Sequence, residues 1–192
     1  MSINTANKLE DMEDEQLMLN YKEGIAAAFD VLYARHKGGL YRYCLRHVNN
    51  QPEIANELFQ DVWMKLINAR LNYQARAKFT TYLYHLAQNR LIDHWRSEKH
   101  QKDQLEYNED VESKDSEPSV DLHQQQLNHQ LKHAIAQLPE EQRSAILLKE
   151  EAAFSLAEIA EITGVNRETV KSRLRYAIKR LRGVLHPLRS VS

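Results

Sequence analysis

Cysteine occurs once in this 192-residue chain, as Cys44. No disulfide can therefore close within it, and a zinc site built on paired cysteines is excluded. Cys44 lies in the apolar-periodic run Leu40, Tyr41, Cys44, Leu45 and Val48, where a small core residue is expected. Glycine and proline are also scarce, with five and four residues, so the punctuation of a many-turned β architecture is missing. β-Branched residues occur singly inside 3.6-residue periodicities, which predicts an all-α fold. No glycine loop cradles a phosphate, no nucleophile elbow is present, and no carboxylate pair is set off by its surroundings. The nine histidines are scattered without paired ligand spacing, and His85, His94 and His129 read as ordinary helical residues. The chain is thus expected to be no enzyme and to need neither metal nor cofactor. No apolar run approaches bilayer length. Glu10, Asp11, Glu13, Asp14 and Glu15 stand where a secretory signal needs positive charge, so no membrane insertion and a cytoplasmic location are expected.

The most informative segment that is present is SLAEIAEITGVNRETVKSRLRYA, residues 155–177. Ser155 can cap a first short helix, and Glu158 three residues later completes a capping box. Ile159, Ala160 and Ile162 supply its buried side. Gly164 falls at the corner, where a left-handed residue costs glycine nothing. Asn166 caps a second helix whose Val170 and Leu174 face inward, leaving Arg167, Thr169, Lys171, Ser172, Arg175 and Tyr176 on or near the outer face. Cations and hydroxyls so placed suit phosphates and base edges. Eight cations oppose the single carboxylate of Glu168 between residues 166 and 189, although the whole chain carries a net charge of only −1. This is a helix-turn-helix with a local basic patch.

Composition divides the rest. Residues 14–98 form a first helical block, with breaks expected near Lys37–Gly39, Asn49–Pro52 and Asn72–Lys78. Residues 99–121 are acidic and poor in large apolar side chains, which predicts a flexible linker. Residues 122–188 form a second small unit. It opens with Leu127, Leu131, Ala134, Ile135 and Leu138 on one face, continues through LPEEQRSAILL with Pro139 in a first helical turn, and completes its core with the helix-turn-helix. In the first block FTTYLYHLAQNRLIDHWRSEK, residues 79–99, interleaves Phe79, Tyr82, Tyr84 and Trp95 with Arg90, Arg96 and Lys99, behind Lys78. Aromatic faces with cations between them are the chemistry that holds single-stranded nucleic acid, at about 1 to 3 kcal/mol per stacked base.

In their order, these parts closely resemble the extracytoplasmic-function sigma factors of the sigma-70 family. The resemblance runs from about Glu15 to Leu188. It rests on the segment at 155–177, on ANELFQDVWMKL at 55–66 and on FTTYLYHLAQNRLIDHWRSEK. It implies a transcription initiation factor that binds core RNA polymerase, reads a minus-35 and a minus-10 promoter element, and stabilises the melted minus-10 strand. By the same resemblance Glu57, Gln60 and Asp61 would meet the coiled coil of the polymerase β′ clamp. Leu181, Val184 and Leu185 would offer a face to the β flap. Tyr73, in the loop RLNYQARAK at 70–78, and Asn89 would read an extruded base, with Lys78, Phe79, Tyr82, Arg90, Trp95 and Arg96 around them. Lys171, Ser172, Arg175 and Tyr176 would face the major groove, and Thr169 a phosphate. An anti-sigma factor is a further implied partner. The alternative from the residues alone is a stand-alone helix-turn-helix regulator on duplex DNA. An adaptor binding only single strands would leave the C-terminal helix without a use.

Overall fold

The computed structural model describes residues 8–104 and 122–185, and every regular element among them is helical. Helix α1, Asp14–Lys22, opens on Asp14 and Glu15 and closes on Lys22, a charge order that suits the helix dipole. It buries Leu17, Met18 and Tyr21. Helix α2, Ala26–His47, follows Gly24, which turns the chain at φ +98°. The break expected at Lys37–Gly39 is absent, because α2 runs straight through it. Gly39 serves contact instead: a Cβ there would lie 3.2 Å from the Tyr84 hydroxyl. The second expected break is present. Asn49 and Asn50 take left-handed conformations after α2, at φ 52° and 59°, which asparagine tolerates better than most residues. Pro52 then opens helix α3, Pro52–Ala69, where its missing N–H leaves no gap.

A single 3-10 turn, Arg70–Asn72, and the loop 73–78 lead into helix α4, Phe79–Gln104. The backbone N–H of Phe79 donates to the Glu15 carboxylate of α1, which satisfies a first-turn donor with negative charge. Phe79, Leu83, Ala87 and Leu91, spaced by four, form the fully buried stripe of α4. They pack with Leu32, Leu40, Leu58, Val62 and Leu66 from α2 and α3. Each buried leucine of this kind contributes about 1.5 to 3 kcal/mol. Because α4 continues to Gln104, the first residues of the expected linker are helical. The stretch 105–121 lies outside the described residues.

The second unit comprises α5, Leu122–Ala136, α6, Glu140–Glu150, α7, Leu156–Thr163, and α8, Arg167–Leu185. Pro139 stands at the N-cap of α6, one residue before the position expected for it. Leu147, Leu148, Ile159, Ile162, Val170 and Ala177 form the unit's core.

The two units also share a surface. α4 packs along α7, and α2 meets α6, so buried apolar residues of both units join in one continuous cluster. The Tyr84 ring meets Phe154 edge-on at 5.1 Å. Arg46 pairs with Glu151 at 3.2 Å, and Lys78 with Glu158 at 2.9 Å. Arg143 is a buried charged residue of the contact. It donates to the carbonyl oxygens of His47 at 2.8 Å and Leu138 at 3.2 Å, and to that of Ala136.

Candidate nucleic-acid interface

Helix α7 is fixed by a capping box: Ser155 Oγ accepts from the Glu158 N–H at 3.3 Å, and the Ser155 N–H donates to Glu158 Oε2 at 2.8 Å. These bonds from Ser155, reinforced by Lys78, hold the Glu158 carboxyl down at about 2. Gly164 closes α7 in the left-handed region at φ 67°. Two residues later Asn166 Oδ1 accepts the Thr169 N–H at 2.8 Å and so caps α8. With both caps local, the turn is set by its own residues, and Val170 and Leu174 are buried as their spacing predicts.

Cations lie on the outer face of α8. Arg167, Lys171, Arg175 and Tyr176 are exposed, and Tyr176 keeps 51% of its surface. The Arg175 guanidinium lies 5.2 Å from the Tyr176 ring centroid, a cation–π arrangement that keeps the charge outward and ordered. Lys171 pairs with Glu168 at 2.7 Å, an exposed pair that a phosphate can replace at little cost. Thr169 and Ser172 are half-buried, and the Ser172 hydroxyl donates to the Thr169 carbonyl at 2.9 Å. Lys179 and Arg182, not assigned from the sequence, line one shallow groove with Lys171 and Arg175, above Leu156, Leu174 and Ile178. Their spacing from Lys171 and Arg175 was the signal available for them.

The aromatic segment divides more sharply. Lys78, Asn89 and Arg96 are exposed, while Tyr82 and Trp95 are half-buried. Asn89 Nδ2 lies 3.4 Å from His85 Nε2 one turn earlier. Two expectations need correction. Phe79 is fully buried beside His36, because it begins the inward stripe of α4, and so offers no face to a base. Tyr73 is buried as well. Lys22 Nζ donates to its carbonyl at 2.9 Å, and its ring packs on Tyr82 at 5.3 Å. Burial, and then Glu15, push its hydroxyl up to about 12. In this conformation Tyr73 supports Tyr82 from below and is not open to a base.

Arg90 also differs from expectation. Its side chain is 16% exposed and turned to α3, with Nε 2.6 Å from Asp61 Oδ2 and Nη2 3.1 Å from Glu57 Oε1. Those carboxylates form, with Gln60, the outward stripe of α3. Met64 lies on the same stripe one turn on and is 53% exposed, a residue the sequence reading passed over although its i, i+3 and i+4 spacing was visible. Leu58, Val62 and Trp63 face inward and are buried, and Phe59 is half-buried. Among the described residues no three His, Cys, Asp or Glu side chains converge to hold a metal ion. No described helix is long and apolar enough to cross a membrane.

Two family models match successive parts of the chain. Residues 32–101 match the family described as Sigma-70 region 2, and residues 128–181 match Sigma-70, region 4. The ECF RNA polymerase sigma factor RpoE of Cereibacter sphaeroides is 37% identical over 132 residues, covering 68% of this chain and 69% of that protein. The RNA polymerase sigma factor CarQ of Myxococcus xanthus is 27% identical over 177 residues, covering 89% and 97%. Among solved structures, the sigma factor RpoE of Bartonella quintana, crystallised with the anti-sigma factor NepR, superposes with a TM-score of 0.64. It is 23% identical and covers 82% of this chain and 96% of its own, a likeness of fold.

Proposed function

Since the chain belongs to the ECF sigma factors of the sigma-70 family and directs promoter-specific transcription initiation, we propose that its two helical units divide that work. The second unit, 122–188, reads the minus-35 element with α8. Arg167, Lys171, Arg175 and Tyr176 meet the major groove and its phosphates, with Thr169 and Ser172 at the helix start. The observation that carries this reading is the ordered, exposed cationic face of α8 on a doubly capped helix-turn-helix. Arg175, held by Tyr176, is suited to a guanine edge.

The first unit, 14–98, binds core polymerase and holds the melted minus-10 strand. Glu57, Gln60 and Asp61 present acid and amide groups along α3 toward the β′ clamp. Lys78, Tyr82, Asn89, Trp95 and Arg96 combine charge, stacking surface and an amide for the single strand, with Tyr73 and Phe79 beneath as support. Residues 99–121 tether the units, and Leu181, with Val184 and Leu185 beyond the described side chains, faces the β flap. The protein acts in the cytoplasm, without catalysis of its own. The B. quintana relative was crystallised with an anti-sigma factor, and a partner of that kind is proposed here too.

Reading both elements at once requires the units to part. Elements centred near minus-35 and minus-10 are separated by about 85 Å of duplex, at about 3.4 Å per base pair. Here Lys78 of the strand-holding unit is 2.9 Å from Glu158 of the helix-turn-helix. The conformation described is therefore the closed one, and promoter engagement replaces the shared surface. Footprinting of the polymerase complex tests the reading. Nuclease protection is expected over two upstream elements, with permanganate-reactive thymines in the downstream one only. Protection of a single palindromic site by the protein without polymerase would support the stand-alone regulator instead.

A further inference from the structure

Arg90 lies beside the strand-holding surface in sequence, yet it points the other way. Its guanidinium bridges Asp61 and Glu57, at 2.6 and 3.1 Å. These carboxylates stand four residues apart on one helix face, where like charges repel. The burial is uneven: the arginine side chain is 16% exposed, against 44% for Asp61 and 67% for Glu57. The cation thus lies beneath and the acids form the rim. Arg90 engages Oδ2 of Asp61 and Oε1 of Glu57. Among the described residues no other protein group takes their second oxygens. Nε and Nη2 are adjacent donors of one rigid plane, which sets the direction of both carboxylates more tightly than an ammonium can.

We propose that Arg90 is a positioning residue for polymerase docking, fixing the Glu57 and Asp61 carboxylates at one spacing on the outer edge of α3 for a cationic helical partner. It takes no part in DNA contact. This rests on the reading that Glu57, Gln60 and Asp61 meet polymerase. An acidic pair ordered before the encounter loses less side-chain freedom on binding, and a shared carboxylate can serve Arg90 and an incoming cation together. The arrangement also ties the polymerase-facing helix α3 to the strand-holding helix α4. Lys65 and Asp93 make a second tie across the same helices, at 3.6 Å, without touching the acidic trio, which makes Lys65→Gln a matched control.

The test uses the full chain and purified core polymerase, with two readouts: affinity for core by fluorescence anisotropy, and binding of a single-stranded minus-10 oligonucleotide by the assembled complex. Arg90→Gln is expected to weaken core binding about five- to tenfold, as loosening two side chains would. Arg90→Lys should recover part of that loss, Lys65→Gln should show none, and oligonucleotide binding by the assembled complex should be unchanged. In a Glu57→Gln, Asp61→Asn background the further change Arg90→Gln should have no effect, since nothing is left to position. Unchanged core affinity with weakened oligonucleotide binding would overturn the proposal and return Arg90 to the DNA surface. An undiminished Arg90→Gln loss in the double-amide background would overturn it in favour of a structural role. If the double-amide variant itself binds core normally, the polymerase-contact reading fails first and the proposal with it.

Discussion

Arg143 and His47 join the two helical units: Nη1 of the arginine donates to the histidine's carbonyl oxygen at 2.8 Å, with both residues buried. His47 is the last residue of α2, and Ala136, whose carbonyl the same guanidinium also meets, is the last of α5. One cation therefore satisfies carbonyls at two helix C-termini, where the helix dipole favours positive charge.

Replacing Arg143 by alanine leaves those carbonyls without their donor. A loss of about 2 to 4 kcal/mol is expected, together with an increase in the radius of gyration as the units separate. Urea unfolding and small-angle scattering measure both. A loss under about 0.5 kcal/mol, the scale of an ordinary surface substitution, would contradict this role.

His47 has a second consequence. Burial, and then the charge of Arg143, push its imidazole well below the ordinary histidine range, so it stays neutral in the folded chain. The unfolded chain takes up the proton below about 6.5 and the folded chain does not, so this contribution is present above about 6.5 and declines as pH falls. The slope is about 1.4 kcal/mol per pH unit. Comparing the native chain with His47→Phe between pH 7 and pH 5 isolates it. Among the described residues neither ring nitrogen has a hydrogen-bond partner, so phenylalanine gives up no hydrogen bond, and without the titrating group the variant should lose stability less steeply. Parallel curves would place the acid sensitivity elsewhere.

Gly164→Ala tests the corner of the helix-turn-helix. A Cβ there meets nothing among the described residues within 4 Å, so only the positive φ is at stake, about 1 to 2 kcal/mol. Thermal unfolding should show that loss with no change in helix content at low temperature. A stabilised variant would mean that the turn relaxes out of the left-handed region.

The helix-turn-helix was legible because its determinants are local. Ser155 with Glu158, Gly164, and Asn166 with Thr169 act within a few residues of one another, and each takes the role its type predicts. The surface between the units was not legible, because it depends on partners far apart in the chain. Arg143 reads as one more cation in a helix start until His47 is placed beside it. Gly38 and Gly39 read as a break, yet Gly39 makes room for Tyr84, 45 residues away in sequence. Phe79 and Tyr73 read as DNA contacts for the same reason. Residue type suggested stacking, while burial depends on what α1 and α2 bring against them.

Arg175→Ala should lower affinity for promoters carrying the upstream element by about 1 to 3 kcal/mol and relax discrimination at one base pair. Asn89→Ala should leave that element's recognition intact and weaken selection at the melted one. Initiation from a promoter library, read by sequencing, separates these effects. Normal selection by both variants would show that the DNA-facing sides of α8 and α4 are misplaced.

The most direct measurement is run-off transcription of fragmented genomic DNA by purified core polymerase, with and without this protein. Start sites that depend on the protein, each preceded by the same two spaced elements, are the predicted result. A core enzyme that elongates normally yet gains no start sites from the protein would contradict the account.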